Sequence, residues 1–223
     1  MTAQDDAGRA PARPDRENDP RFVRSRQALI AAITEILESG TSPDDVRVSD
    51  IARRAGVSRP TFYQHFATVS ELTRTTALQR LTDVFAQVPE AVRGENWSIF
   101  IGKTLSLLLG SLRAQRTFFL TVLQGSTGAH LREDITKFIS TRLLENSPLA
   151  AVISRREGPD SPQERAEFLA AGVMWLCVRW LRESDPDPVD SMVERISALL
   201  LAASGASQAE QDAVREGLAP EQS

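Results

Sequence analysis

Cysteine occurs once in this 223-residue chain, at Cys177. One thiol can form no internal disulfide, which excludes a stapled secreted scaffold and suits a reducing cytoplasm. Because Cys177 sits in an apolar run, it is read as buried and inert rather than as a redox sensor. Long apolar stretches are also missing. No run approaches the ~18 residues that a membrane span needs. Residues 1–20 have no apolar core, so no signal peptide is expected there. Histidine occurs twice, at His65 and His130, far from each other and from Cys177. No spacing of metal ligands results, and no metal is expected. A GxSxG elbow, a P-loop and a GxGxxG fingerprint are all absent. Gly125-Ser126-Thr127-Gly128 is followed by no lysine, so it reads as a turn and not as a phosphate cradle. With no catalytic constellation, neither an enzyme nor a cofactor is expected.

What is present is apolar sequence at helical spacing. Hydrophobic residues make up 41% of the chain, enough for a sizeable core, and the net charge is −4. That charge argues against a protein coated for nonspecific nucleic-acid binding. It is unevenly placed, however. Residues 21–75 carry eight arginines against six acids, whereas residues 76–223 carry fifteen basic and nineteen acidic residues. A mildly basic head thus precedes an acidic body.

Val48–Leu72, VSDIARRAGVSRPTFYQHFATVSEL, is the most informative stretch. Val48, Ile51, Ala52 and Ala55 share one helical face. Gly56 can take the left-handed conformation that ends a helix at low cost. Ser58 is a good N-cap for a second helix, and Pro60 is tolerated in its first turn. Phe62 and Phe66 are four apart and bury together. Arg59, Thr61, Tyr63, Gln64 and His65 remain to face outward. The outline is a helix-turn-helix whose second helix suits a major groove. Arg59 matches the O6/N7 edge of guanine, and Gln64 can read adenine in the same bidentate way. Thr61, Tyr63 and His65 are better suited to phosphates, which fix register without reading sequence. Arg47, just before the first of these helices, is placed for a phosphate. Two short helices joined at a glycine also occur in proteins that bind no DNA.

The segment from about Arg21 to Leu81 resembles the TetR family of bacterial transcriptional regulators. Val48–Ser58 meets the family pattern of an apolar residue, Ile-Ala and Ala-Gly-Val-Ser. Phe62–Phe66 meets its aromatic-Tyr-x-His-Phe run, and Ser58-Arg59-Pro60-Thr61 is one of the forms that open its recognition helix. Two positions depart from the pattern. Arg47 stands where the family commonly has Thr, and Val69 where it commonly has a phosphate-contacting Lys. The resemblance implies a DNA-binding site of Arg47, Ser58, Arg59, Pro60, Thr61, Tyr63, Gln64 and His65. It also implies an effector held in a helical body, with the fourth helix relaying its presence to the head. Trp97, Phe100, Thr104, Phe118, Phe119, Met174 and Trp175 are the candidate effector residues, with ordinary core packing as the alternative for each. A mostly apolar small molecule is expected.

The fold class expected is all-α: an N-terminal three-helix helix-turn-helix DNA-binding domain and a C-terminal helical ligand-binding and dimerisation domain. The boundaries expected are a disordered arm over 1–20, a head over 21–68, a body over 69–204 and a flexible tail over 205–223. Arg9, Arg13 and Arg16 in the arm are opposed by five acids, so a solvated tail is favoured over a minor-groove arm. A first helix running from Phe22 ends near Gly40. The connecting helix, with Thr68 as cap and Glu71 at capping-box spacing, runs over 69–88 and stops at Pro89. Helices follow over 97–112, 117–123, 131–144, 148–155, 161–182 and 189–203.

The last two carry more apolar residues than one neighbour can cover. Phe168, Ala171, Gly172 and Trp175 on the first, with Val189, Met192, Val193, Ile196 and Leu200 on the second, are the candidate interface of a symmetric homodimer. Burial within the monomer alone is the alternative. A dimer demands a roughly palindromic operator in double-stranded DNA, with half-sites ~34 Å apart. The rival reading is a helical small-molecule binding or scaffolding protein with an inactive head.

Overall fold

A computed structural model describes residues 19–88, 97–155 and 158–207, with side chains from Phe100 in the second segment. Among the described residues the chain is all helical. The ten helices are α1 Pro20–Glu38, α2 Val48–Ala55, α3 Arg59–His65, α4 Val69–Phe85 and α5 Trp97–Ala114, followed by α6 Arg116–Gln124, α7 Gly128–Glu145, α8 Leu149–Arg155, α9 Pro162–Arg182 and α10 Val189–Ser204. A short 3-10 turn, Pro43–Asp45, joins α1 to α2.

Local signals account for most helix ends. Asp19 caps α1 by accepting from the Arg21 N–H at 2.8 Å, with Pro20 in the first turn. Asp19 and Pro20, expected in the arm over 1–20, thus belong to α1; residues 1–18, with Arg9, Arg13 and Arg16, lie outside the described residues. Ser161 and Glu164 form a reciprocal capping box at the start of α9, which satisfies two otherwise orphaned donors. Thr68 caps α4 by accepting from the Glu71 N–H. The Glu71 carboxylate reaches back to the Ala67 N–H at 2.7 Å, one residue beyond the expected box. α4 ends at Phe85, short of Val88, and tighter hydrogen bonds from Gln87 to Val84 and from Val88 to Phe85 unwind its end before Pro89. Pro89 itself lies outside the described residues. α7 starts three residues earlier than expected, at Gly128. Of the tail, residues 208–223 lie outside the described residues.

α1 packs on α2, α4 and α6, so the head and the body share one continuous core. Leu29, Ile33, Ile36 and Leu37 of α1 share this core with Ile51, Phe62 and Phe66 of the head and Leu72 of α4. In the body α7 lies along α9 and α5 along α10. α9 is two-faced. Ala166, Leu169, Ala170, Val173, Cys177, Trp180 and Leu181 recur at helical spacing and are buried. Phe168, Ala171, Gly172 and Trp175 lie on the opposite, exposed side. Burial pushes the Cys177 thiol up to about 12, which leaves it protonated and inert. No helix among the described residues is long and apolar enough to cross a membrane.

Candidate functional site

The helix-turn-helix is built by a few decisive residues. Gly56 ends α2 in the left-handed region at φ 65, where a residue with a Cβ is strained. Ser58 then caps α3, accepting from the Thr61 N–H at 3.2 Å, and Pro60 occupies the first turn. Phe62 is fully buried and Phe66 nearly so, which pins the inner face of this seven-residue helix to the head core. Arg59, Pro60, Tyr63 and Gln64 are left exposed, as are Arg47 and Ser58. Arg47 precedes α2 in an extended conformation and makes no capping bond with its side chain. Tyr63 is 59% exposed while its ring edge packs on Phe62, so its phenol is carried outward by a buried neighbour. Thr61 is half-buried, its hydroxyl 2.8 Å from that of Ser58. It therefore completes the cap before it can reach a phosphate.

His65 is turned the other way. Its Nε2 lies 2.7 Å from the Ser25 hydroxyl, and its ring lies tilted against that of Phe22 with centroids 4.0 Å apart. Nδ1 is buried without a hydrogen-bond partner among the described residues. The phosphate role expected for His65 is thus replaced by a tie between α3 and α1. Burial, reinforced by the Arg26 guanidinium, holds the imidazole below its ordinary value of 6.5. The unfolded chain takes up this proton first. Head stability therefore falls as pH drops below 6.5 towards the lowered folded value, and is fully present above that window. Unfolding followed between pH 7.5 and pH 5 shows this slope, and His65→Gln flattens it. A variant with an unchanged slope assigns the pH dependence elsewhere.

Val69, at the position of the family's common lysine, begins α4 half-buried and packed on the core. Its side chain serves the head–body junction. Arg54 and Arg53, late in α2, pair with Glu35 and Asp50.

The candidate effector residues divide. Phe118 and Phe119 are buried edge to face on α6, Phe100 is buried on α5, and Met174 is half-buried on α9. Thr104 Oγ1 is buried with no partner among the described residues, an unusual state for a hydroxyl. The Arg80 guanidinium lies over the Phe118 ring, 4.0 Å from its centroid, and also donates to Gln115 and Glu38. That side of Phe118 is therefore filled. Trp175 leaves the group: it is 60% exposed, with Arg179 over its ring. The side chain of Trp97 lies outside the described residues.

The candidate interface divides as well. Phe168 is 74% exposed, and Ala171, Gly172 and Trp175 continue its face. Met192, Val193, Ile196 and Leu200 are instead buried in the subunit's own core, and Val189 packs partly against it. α5 lies along that side of α10 and covers the stripe. The exposed side of α10 offers Leu199 in their place, a residue outside the candidate interface.

Residues 25–74 match the family model of bacterial regulatory proteins, tetR family. A curated Bacillus subtilis (strain 168) protein, the uncharacterized HTH-type transcriptional regulator YxbF, is 29% identical over 99 residues. The match takes in 44% of this chain and 26% of YxbF, so the chain spans about a quarter of that relative. A tetR-family transcriptional regulator from Streptomyces coelicolor has a similar fold, with TM-score 0.58, 19% identity and 90% of each chain covered. Thermus thermophilus FadR, a TetR family transcriptional repressor in complex with lauroyl-CoA, matches with TM-score 0.56 and 16% identity over 80% of this chain and 94% of its own. NalD of Pseudomonas aeruginosa, the secondary repressor of the MexAB-OprM multidrug efflux pump, matches with TM-score 0.54 and 17% identity over 82% and 96%. The matched head is thus similar to that of the bacterial regulatory proteins of the tetR family, and the described residues share the fold of solved regulators of that family.

Proposed function

We propose that this protein is a cytoplasmic, dimeric transcriptional repressor that binds a roughly palindromic operator through α3 and releases it when a small, mostly apolar effector occupies the body. One observation carries the reading: Arg59, Tyr63 and Gln64 stand exposed on a short capped helix whose inner face is locked by Phe62 and Phe66. A helix so anchored can enter a major groove without reorganising. The chemistry of its exposed residues serves recognition and not catalysis.

Two further observations support the dimer and the effector. Phe168, Trp175 and Leu199 expose large apolar side chains on the outer sides of α9 and α10. A second copy of the same face would bury them, each contributing about 1.5–3 kcal/mol. The Thr104 hydroxyl, unpaired among the described residues, supplies one polar handle of the kind that a largely apolar ligand uses for orientation.

The test begins with selection of operators from random duplexes, followed by fluorescence anisotropy with unrelated DNA as competitor. Saturable binding to a palindrome is expected, and binding that no unlabelled operator outcompetes selectively removes the regulator reading. Arg59→Ala should relax preference at one base pair of each half-site, at a cost of about 1–3 kcal/mol. Tyr63→Phe should weaken binding to every sequence alike, as loss of a phosphate contact does. If neither substitution changes binding, α3 is not the reading helix.

A further inference from the structure

The Gly125–Gly128 turn holds no ligand signature, yet it is where the body grips the head a second time. Asp44 lies in the 3-10 turn between α1 and α2. Its carboxylate accepts from the Ser126 N–H at 2.9 and 3.2 Å and from the Ser126 hydroxyl at 2.5 Å. These bonds hold the Asp44 carboxyl below the usual carboxylate range, so it stays ionised and the contact stays charge-assisted. The flanking residues extend the grip. A Cβ on Gly125 would approach the Pro43 ring to 3.3 Å, so the turn already touches the head closely. Thr127, itself buried, donates its hydroxyl to Ser70 in the first turn of α4 at 3.0 Å. One short turn thus contacts the two ends of the helix-turn-helix, the 3-10 turn before it and α4 after it.

Gly128 makes this turn move as one piece with α6. Its backbone packs so tightly on the Leu123 carbonyl that no Cβ fits between them. Displacement of α6, which carries Phe118 and Phe119, is therefore delivered to Ser126 with little slack.

We propose that Asp44 and Ser126 are positioning residues for DNA binding: their latch, and not the connecting helix alone, sets the angle at which α3 is presented. The proposal rests on the regulator reading only for its effect on DNA; the angle itself is a property of the free protein. Two measurements separate these. Spin labels at exposed Arg53 and Glu133, on full-length chain diluted into unlabelled subunits, report the head–body distance (the buried thiol of Cys177 is inert to the label). A single narrow distribution is expected for the parent. Asp44→Ala and Ser126→Ala should broaden it, the double variant no further than Asp44→Ala, and Ser126→Thr should restore it. Asp44→Ala should also weaken operator binding about tenfold, equally for all sequences, with little change in melting temperature. An unchanged distribution in Asp44→Ala overturns the proposal. So does a lower melting temperature with distance and affinity both intact, since the contact would then be structural only. If no operator is found, broadening still upholds the latch, and it is the regulator reading that has failed.

Discussion

On the proposed reading, replacing Phe168 and Trp175 together with glutamate should leave a folded monomer that no longer holds an operator. Both side chains lie on the outer face of α9, while the inner face from Ala166 to Leu181 fills the core and is untouched. Exposed substitutions of this kind usually change stability by no more than about 0.5 kcal/mol. Trp175→Glu also places a carboxylate one turn before Arg179, a favourable helical pair. The proposed dimer is affected differently. Two glutamates per copy, brought to a two-fold interface, meet their own kind in a desolvated patch. Operator binding then falls because the second head loses the effective concentration that tethering gave it, a loss of about 100-fold or more. Sedimentation and anisotropy on the same preparation check this. A variant that remains dimeric places the interface on another face.

Gly128→Ala is the substitution expected to cost most stability. α6 ends at Gln124 and α7 begins at Gly128, so the chain reverses within a few residues. A Cβ at 128 would collide with the Leu123 carbonyl oxygen and lie 2.8 Å from its carbon. Both are backbone atoms, which cannot rotate aside. The same carbonyl accepts from Arg132 at 2.8 Å, so α7 cannot retreat without losing that bond. Retreat would also pull Asp134 from Arg74 of α4 and disturb the packing of α7 along α9. Forcing extra volume into such a site costs about 3 kcal/mol. Urea unfolding measures it directly. A variant as stable as the parent would mean that α6 and α7 can separate freely, which would also weaken the latch argument.

How legible these features were depended on how far apart the determining residues lie. The helix-turn-helix could be read because its causes are local: a cap at Ser58, a left-handed glycine at 56, and two phenylalanines one turn apart. The all-helical class followed from apolar periodicity, and most helix ends followed from Pro, Gly or a capping side chain. Periodicity shows that a face is apolar without showing what covers it. Met192, Val193, Ile196 and Leu200 looked available to a partner because nothing in their own helix announces α5 lying across them. Trp175 looked like a pocket wall for the same reason. His65 looked outward because its partner, Ser25, is 40 residues away. Asp44 and Ser126 are 82 residues apart, and no pattern in either segment predicts their bond.

The shortness of α3, seven residues with its inner face buried, limits how much information the helix can carry. On the proposed assignment Arg59 and Gln64 are its base-reading side chains, one base pair each, so a palindrome fixes four positions. With four distinguishable base pairs per position, such a pattern recurs by chance about once in 250 base pairs. A genome offers upwards of about 10⁶ competing sites, so this alphabet alone cannot single out a promoter. The missing discrimination would then reside in length: in the number of base pairs separating two rigidly held heads, and in how readily the intervening duplex twists to match them. Inserting one base pair at the centre of the operator should then be as damaging as changing a contacted base.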